Sequence, residues 1–258
     1  MSDNFRSRIA RLCVLASAFL VTSALAGPGQ LAIWCSPALK GVVADLVSQF
    51  ERESGHSAVV KFGTFESLQG RLGAGEPPDV VIFQSDLIEG MQKGGKIDAA
   101  TRIDVGRIGM GLAMRKGASA PDISSADALR AVLVKAGSIA YPDPREGPGG
   151  VAAADAMAAL GIAETVRSRI RLGGIGQGVQ FVSHGEVEIA LDHVTEIMAR
   201  PAASFVGPLP GNLQRWVAYS AAIAADSINP DEAHPFLRFL AGGAVRDKLR
   251  AAGIESSR

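Results

Sequence analysis

Cysteine is almost missing from this chain. Its 258 residues contain two: Cys13 in the N-terminal apolar segment, and Cys35, which stands alone thereafter. A single thiol closes no internal disulfide, so the fold has to be held by its core rather than by cross-links. Cys35 ends the apolar run that begins at Leu31 and reads as a small buried residue. A nucleophilic role would need a histidine partner, and no motif supplies one. Aromatic residues are scarce, 5% of the chain against 47% apolar overall. The core is therefore aliphatic, without a ladder of rings for stacking sugars or bases. An excess of either charge is also missing, with 26 basic and 26 acidic residues. The first 26 residues hold three arginines and one aspartate, which leaves the remainder slightly acidic. That balance excludes an electrostatic footing on nucleic acid or an anionic membrane surface. Beyond residue 26 no stretch approaches the ~18 uninterrupted apolar residues of a membrane span.

Enzyme signatures are lacking too. There is no G-x-S-x-G elbow, no H-E-x-x-H, no phosphate-binding Walker loop and no paired Cys/His spacing. The chain is thus expected to act without metal or cofactor and without catalysis. The run Gly173-Gly174-Ile175-Gly176-Gln177-Gly178 superficially matches a dinucleotide loop, but it follows Arg171-Leu172 rather than a clear apolar strand. A tight loop before a helix is the better reading.

What is present begins at the N-terminus. Arg6, Arg8 and Arg11 precede an apolar run from Leu12 to Val21, and small residues end in Ala24-Leu25-Ala26. This is the pattern of a cleavable secretory signal over residues 1–26, with an apolar stretch too short for an anchor. No cysteine stands where a lipid anchor would need one. The expected mature chain starts near Gly27 and works outside the cytoplasm.

Strand-like and helix-like segments then alternate, the pattern of an α/β protein with mostly parallel sheets. Strands are expected at 31–35, 58–62, 79–83, 108–114, 138–141, 187–191 and 216–224. Ser36-Pro37 is expected to open the first long helix, with Ser36 as N-cap. Further helices are expected at 67–72, 86–93, 125–135, 151–160, 176–183, 230–240 and 245–252. Two groups of βα units with no linker between them suit two lobes through which the chain passes more than once. The expected lobes are 27–107 with 217–258, and 108–216. A single doubly wound domain remains the alternative.

Several strand ends run straight into Gly- or Ser-bearing turns that open helices: Cys35-Ser36-Pro37, Phe62-Gly63-Thr64, and the loop from Pro142 to Gly150. Unpaired N–H groups and the positive end of the helix dipole make such converging turns a ready anion site. Each hydroxyl taken alone more often caps its own helix, a contribution of ~1 kcal/mol. Of the four histidines, His56, His184 and His234 read as surface residues. His193 follows Leu191-Asp192 at a strand end, where ligands bind in open α/β sheets.

The segments Ile33 to Leu39, Val60 to Leu68, Gly75 to Phe83, Asp143 to Gly150 and Asn229 to Leu240 together resemble the periplasmic molybdate-binding proteins. These are solute receptors of ABC importers with the type II periplasmic-binding fold. The resemblance spans nearly all of the mature chain in the right order. It implies a two-lobed receptor that holds an oxyanion between the lobes with hydroxyl and backbone N–H groups. It also implies a monomer that partners an inner-membrane permease. Carried over by position, the ligand groups fall at Ser36, Thr64 and Phe65, Gly149, Ile175 and His193. The sequence departs from the family at Thr64-Phe65-Glu66, where a serine-rich turn is expected, and at His193, which replaces a tyrosine. Arg145, on the third anion loop, suits bidentate carboxylate binding. Two alternatives stay open: a receptor for a small organic carboxylate, or a periplasmic enzyme such as an aconitate isomerase, with Asp192, His193 or Glu66 as base.

Overall fold

A computed structural model describes residues 29–70 and 76–256; the expected signal segment 1–26 lies outside the described residues. The strands are β1 Gln30–Cys35, β2 Ser57–Phe62, β3 Val80–Gln84, β4 Ile103–Ile108, β5 Met110–Arg115, β6 Ile139–Pro142, β7 Ile170–Gly173, β8 Ile189–His193, β9 Ala203–Pro208, β10 Val217–Ile223 and β11 Ile254–Glu255. The helices are α1 Lys40–Ser54, α2 Phe65–Gln69, α3 Ser85–Lys93, α4 Ala126–Lys135, α5 Pro148–Ala159, α6 Ala163–Val166, α7 Gln177–Ser183, α8 Val194–Met198, α9 Pro230–Leu240 and α10 Gly243–Ala251.

The strands form two sheets rather than one doubly wound sheet. The first runs β11-β4-β10-β3-β1-β2 and the second β7-β6-β8-β5-β9. In each, three parallel strands join strands of opposite direction: β1 pairs in parallel with β2 and β3 while β10 is antiparallel, and β6 pairs in parallel with β7 and β8 while β5 is antiparallel. The inner parallel strands β1, β3, β6 and β8 are almost wholly buried because helices cover both faces of each sheet. Val43, Leu46, Val47 and Phe50 of α1 pack with Phe236 and Leu240 of α9 on one face of the first sheet. Phe50 meets Phe236 edge-on at 5.1 Å between ring centres. In the second sheet Leu129 and Leu133 of α4 and Ala152, Ala153, Ala156 and Met157 of α5 cover β5, β6 and β8.

Four strands were not expected from the pattern. β4, β7 and β9 are partly exposed, with few fully buried residues, and β11 is two residues long. Partly solvated strands carry no continuous apolar signal. The strand expected over 108–114 is β5, save that Ile108 ends β4; the two strands lie in different sheets and meet at Gly109. A β-carbon at Gly109 would stand 2.9 Å from both Gln214 and Trp216, so a larger residue here would press on the side chains packed at this turn from one sheet into the other. The glycine run at 173–178 does follow a strand, β7, which corrects the sequence reading; a tight loop and the helix α7 then come as expected.

The chain crosses between sheets at Gly109 and again between β9 and β10. Gln214 joins the two crossings: its Oε1 accepts from the Met110 N–H at 2.7 Å and its Nε2 donates to the Met110 carbonyl at 2.8 Å. Within the first sheet Asp79 is fully buried. It accepts from the Ala32 N–H, the Ser227 hydroxyl, the Ile228 and Asn229 N–H groups and the Asn229 side-chain amide, all between 2.7 and 3.1 Å. Replacing Asp79 by alanine strands several buried donors at once. Asp79→Ala is expected to lower the stability measured by urea unfolding by about 3 kcal/mol or more. A loss under ~1 kcal/mol would show that the five bonds matter little.

Candidate functional site

A cavity of about 560 Å³ opens between the two sheets, lined from the first by Ser36, Thr64, Phe65 and Ser85 and from the second by Gly147, Pro148 and Ile175. Its walls are the C-terminal ends of parallel strands and the helix starts that follow them, where open α/β sheets bind ligands.

Ser36 was expected to cap the helix after it. It is buried, yet its hydroxyl makes no bond to the Pro37–Leu39 turn that leads into α1. That leaves the hydroxyl available to the cavity. Thr64 does cap: its Oγ1 accepts from the Ser67 N–H at 3.2 Å at the start of α2. Phe65 packs edge-on against Phe83, 5.8 Å between ring centres, and both line the cavity. Ile175 reaches it from the loop between β7 and α7.

Gly149 and His193 lie together, behind the Gly147-Pro148 wall rather than on it. A β-carbon on Gly149 would stand 2.9 Å from Nδ1 of His193. The imidazole thus occupies the space a side chain at 149 would need. Both ring nitrogens are buried without a partner. Burial pushes His193 down to about 4, so the ring is neutral at neutral pH. Next to it Asp192 is fully buried and pushed up to about 8, first by burial and then by the neighbouring Glu196. Asp192 Oδ1 accepts from the His193 N–H at 2.8 Å and Oδ2 from the Gly176 N–H at 3.2 Å. The Nδ1 to Oδ1 distance of 3.9 Å is too long for a hydrogen bond. With both groups driven to their neutral forms, this is no ion pair.

Arg145 is not brought to the cavity. Its guanidinium is mostly exposed and turned back on Asp143, with Nη2 to Oδ2 at 2.5 Å and Nε to Oδ1 at 3.0 Å. These bonds hold the Asp143 carboxyl down to about 2. The charged residues that do line the cavity are Glu66, Asp86 and Glu146; among the described residues neither lysine nor arginine does. Cys35 is buried and its thiol is pushed far up by that burial, the state of a packing residue.

Three further polar residues back the cavity, and sequence reading missed them. The Ser85 hydroxyl lies 2.7 Å from that of Ser220, which donates to Asp104 at 3.2 Å. The neighbouring Tyr219 is buried, and its hydroxyl faces Ser36 without forming a complete hydrogen bond. A break in register between Tyr219 and Ser220, where β10 pairs with β4, re-aims these side chains as bulges do. A serine and a tyrosine inside the apolar run 217–223 were the available signal.

A two-sheet α/β architecture with a cleft at the strand ends defines the class of type II periplasmic-binding folds. The family model described as bacterial extracellular solute-binding protein matches residues 31–255, and the chain belongs to that family. The expected resemblance to molybdate-binding proteins is borne out. The molybdate-binding protein ModA of Azotobacter vinelandii is 25% identical over 254 residues, 95% of this chain and 97% of that protein. The aconitate isomerase of a Pseudomonas species is also 25% identical, over 230 residues and 87% of each chain. Among solved structures, the periplasmic molybdate-binding protein of A. vinelandii superposes with a TM-score of 0.73 at 20% identity. It covers 88% of this chain and all of its own. The substrate-binding domain of a putative molybdenum transporter from Clostridium difficile gives 0.72 at 16%, covering 89% of this chain and 99% of its own.

Gly149→Ala is expected to cost about 1–3 kcal/mol through overpacking against the imidazole. The loss should largely vanish in Gly149→Ala/His193→Ala; equal losses in both backgrounds would mean that the two residues do not interact. The buried pair also sets a pH dependence. Between about pH 4 and 6.5, folding expels a proton from His193 and retains one on Asp192, and the two effects offset. Above 6.5 the unfolded histidine is already neutral, and only Asp192 binds more protons folded than unfolded. Stability should therefore fall from pH 6.5 to 8, by up to about 2 kcal/mol. Asp192→Asn should flatten this slope in urea midpoints, and an unchanged slope would assign it elsewhere.

Proposed function

We propose that this chain is the periplasmic solute receptor of an ABC-type importer. It closes as a monomer over a small anion of the molybdate or tungstate kind and delivers it to an inner-membrane permease. One observation carries the reading. The start of the Pro37–Leu39 turn and the N-termini of α3 and α5 converge on a cavity that, among the described residues, has hydroxyls but no cation. Helix N-termini and neutral donors favour a compact anion. The carboxylates of Glu66, Asp86 and Glu146 oppose a ligand that spreads negative charge along the cleft. Hinge closure would bring Ile175 and the α5 terminus onto a ligand held at Ser36.

A second reading is favoured by the size of the cavity and by the similarity to an aconitate isomerase. A space of about 560 Å³ admits a small polycarboxylate, whether as cargo or as substrate. An enzyme would need a base, and Glu66 stands in the cavity, whereas Asp192 and His193 are sealed from it.

Isothermal titration with molybdate, tungstate, sulfate, phosphate and a panel of carboxylates distinguishes these readings. Molybdate or tungstate is expected to bind best, and Ser36→Ala should weaken it about tenfold, the worth of one hydrogen bond to a charged ligand. Binding to no anion would overturn the receptor reading. Turnover of trans-aconitate would establish the enzyme instead.

A further inference from the structure

A second cavity, of about 720 Å³, is distinct from the ligand cleft. The two share the Pro37–Leu39 turn. Ser36 and Pro37 face the cleft, while Ala38, Lys40 and Gly41 face the second cavity. Its other walls are α8 with the following Arg200, and the C-terminal turn of α10 with Lys248. It is thus a crevice between the two lobes, behind the cleft. At its edge the Thr195 hydroxyl donates to the Ala38 carbonyl across the lobes at 2.9 Å, fully buried.

The charge of this crevice differs from that of the cleft. Lys40, Lys248 and Arg200 line it, against Asp45 and Glu196. Among the described residues none of the three cations forms an ion pair within 4.0 Å. Lys248 has only a neutral partner, the Gln49 side-chain carbonyl at 2.5 Å. The Arg200 Nε is buried with no partner at all. The Glu196 carboxylate and the Arg200 guanidinium both crowd Gly176, yet they form no ion pair within 4.0 Å among the described residues. Burial raises the Glu196 pKa, with Arg200 and Lys40 opposing the rise. Three underused cations on both lobes, around a space large enough for a ligand, are an arrangement that a multiply charged anion completes.

We propose that this rear crevice is a second binding site, for a small anion with two or more charged oxygens. The anion bridges Lys40 and Lys248 of one lobe to Arg200 of the other. Such an anion also acts on the cleft. Arg200 and Glu196 abut Gly176, next to Ile175 on the cleft wall. An occupant that draws on Arg200 biases the relative position of the lobes and hence the affinity for cleft ligand, with the reciprocal effect required by linkage.

The site is independent of which ligand the cleft takes, and a measurement resolved by residue keeps the two apart. The protein is titrated with inorganic phosphate and, separately, with citrate at constant ionic strength, and amide resonances are followed. Saturable shifts are expected at Gly41, Glu196 and Arg200. The variant Lys40→Gln/Lys248→Gln changes two exposed side chains and should fold normally. It is expected to weaken that response at least about tenfold, while any response at Thr64 and Phe65 in the cleft persists, its midpoint shifted only by the lost coupling. Arg200→Gln should do the same. The proposal is overturned if neither anion gives a saturable shift at the three amides, or if the variants respond as the wild type does.

Discussion

The chain passes between its two sheets side by side, and Gln214 holds the two passages together through both polar groups of the Met110 backbone. A second bond, from the Val194 N–H to the Gly109 carbonyl at 3.0 Å, ties α8 to the same crossing. A third, from Thr195 to Ala38, ties α8 to the turn after β1. These contacts set how the strand ends of one sheet face those of the other. The Ser36 turn, the Ser85 turn, the α5 terminus and the Ile175 loop share one cavity only because the crossings are clamped. The same clamps leave two openings, one on each side of the Pro37–Leu39 turn. They carry opposite charge: acidic and hydroxyl-lined in front, basic behind.

At the end of β8 the fold places two ionisable residues where water does not reach, and it neutralises both rather than pairing them. A buried carboxylate facing another carboxylate, and a buried imidazole with no acceptor, each cost less uncharged than charged. The neutral pair then serves as packing. His193 fills the space beside Gly149 and Asp192 anchors the Gly176 N–H. Two of the four segments around the cavity are held from behind in this way, so their backbone donors are set before any ligand arrives.

Much of the architecture was legible. The apolar runs at β1, β3, β6, β8 and β10 and the amphipathic helices α1, α3 and α9 declare themselves by periodicity, because burial of whole strands and of one helix face imposes it. The partly exposed strands β4, β7 and β9 do not. The boundary at Gly109 was hidden because Ile108, the last residue of β4, reads as the first of the apolar stretch of β5. In the site, Ser36, Thr64, Phe65 and Ile175 stand at the cavity as their turns implied. Arg145 promised an anion clamp, yet a carboxylate two residues away captures it. Tyr219, Ser220 and Asp104 carried no motif, since their relation to Ser36 and Ser85 exists only across strands distant in the chain.

By itself the sequence determined the class of fold, the absence of disulfide support, an aliphatic core and the turns able to offer anion donors. Each of these follows from local chemistry: residue size, apolar period and the backbone freedom of particular turns. The tertiary structure decided which donors meet, which charges are screened by a near neighbour and which are left unpaired. It also decided that Asp192 and His193 are driven to their neutral forms and that Lys40, Lys248 and Arg200 line one crevice. Proximity and burial set those outcomes, and both depend on residues more than a hundred positions apart being brought within a few ångströms.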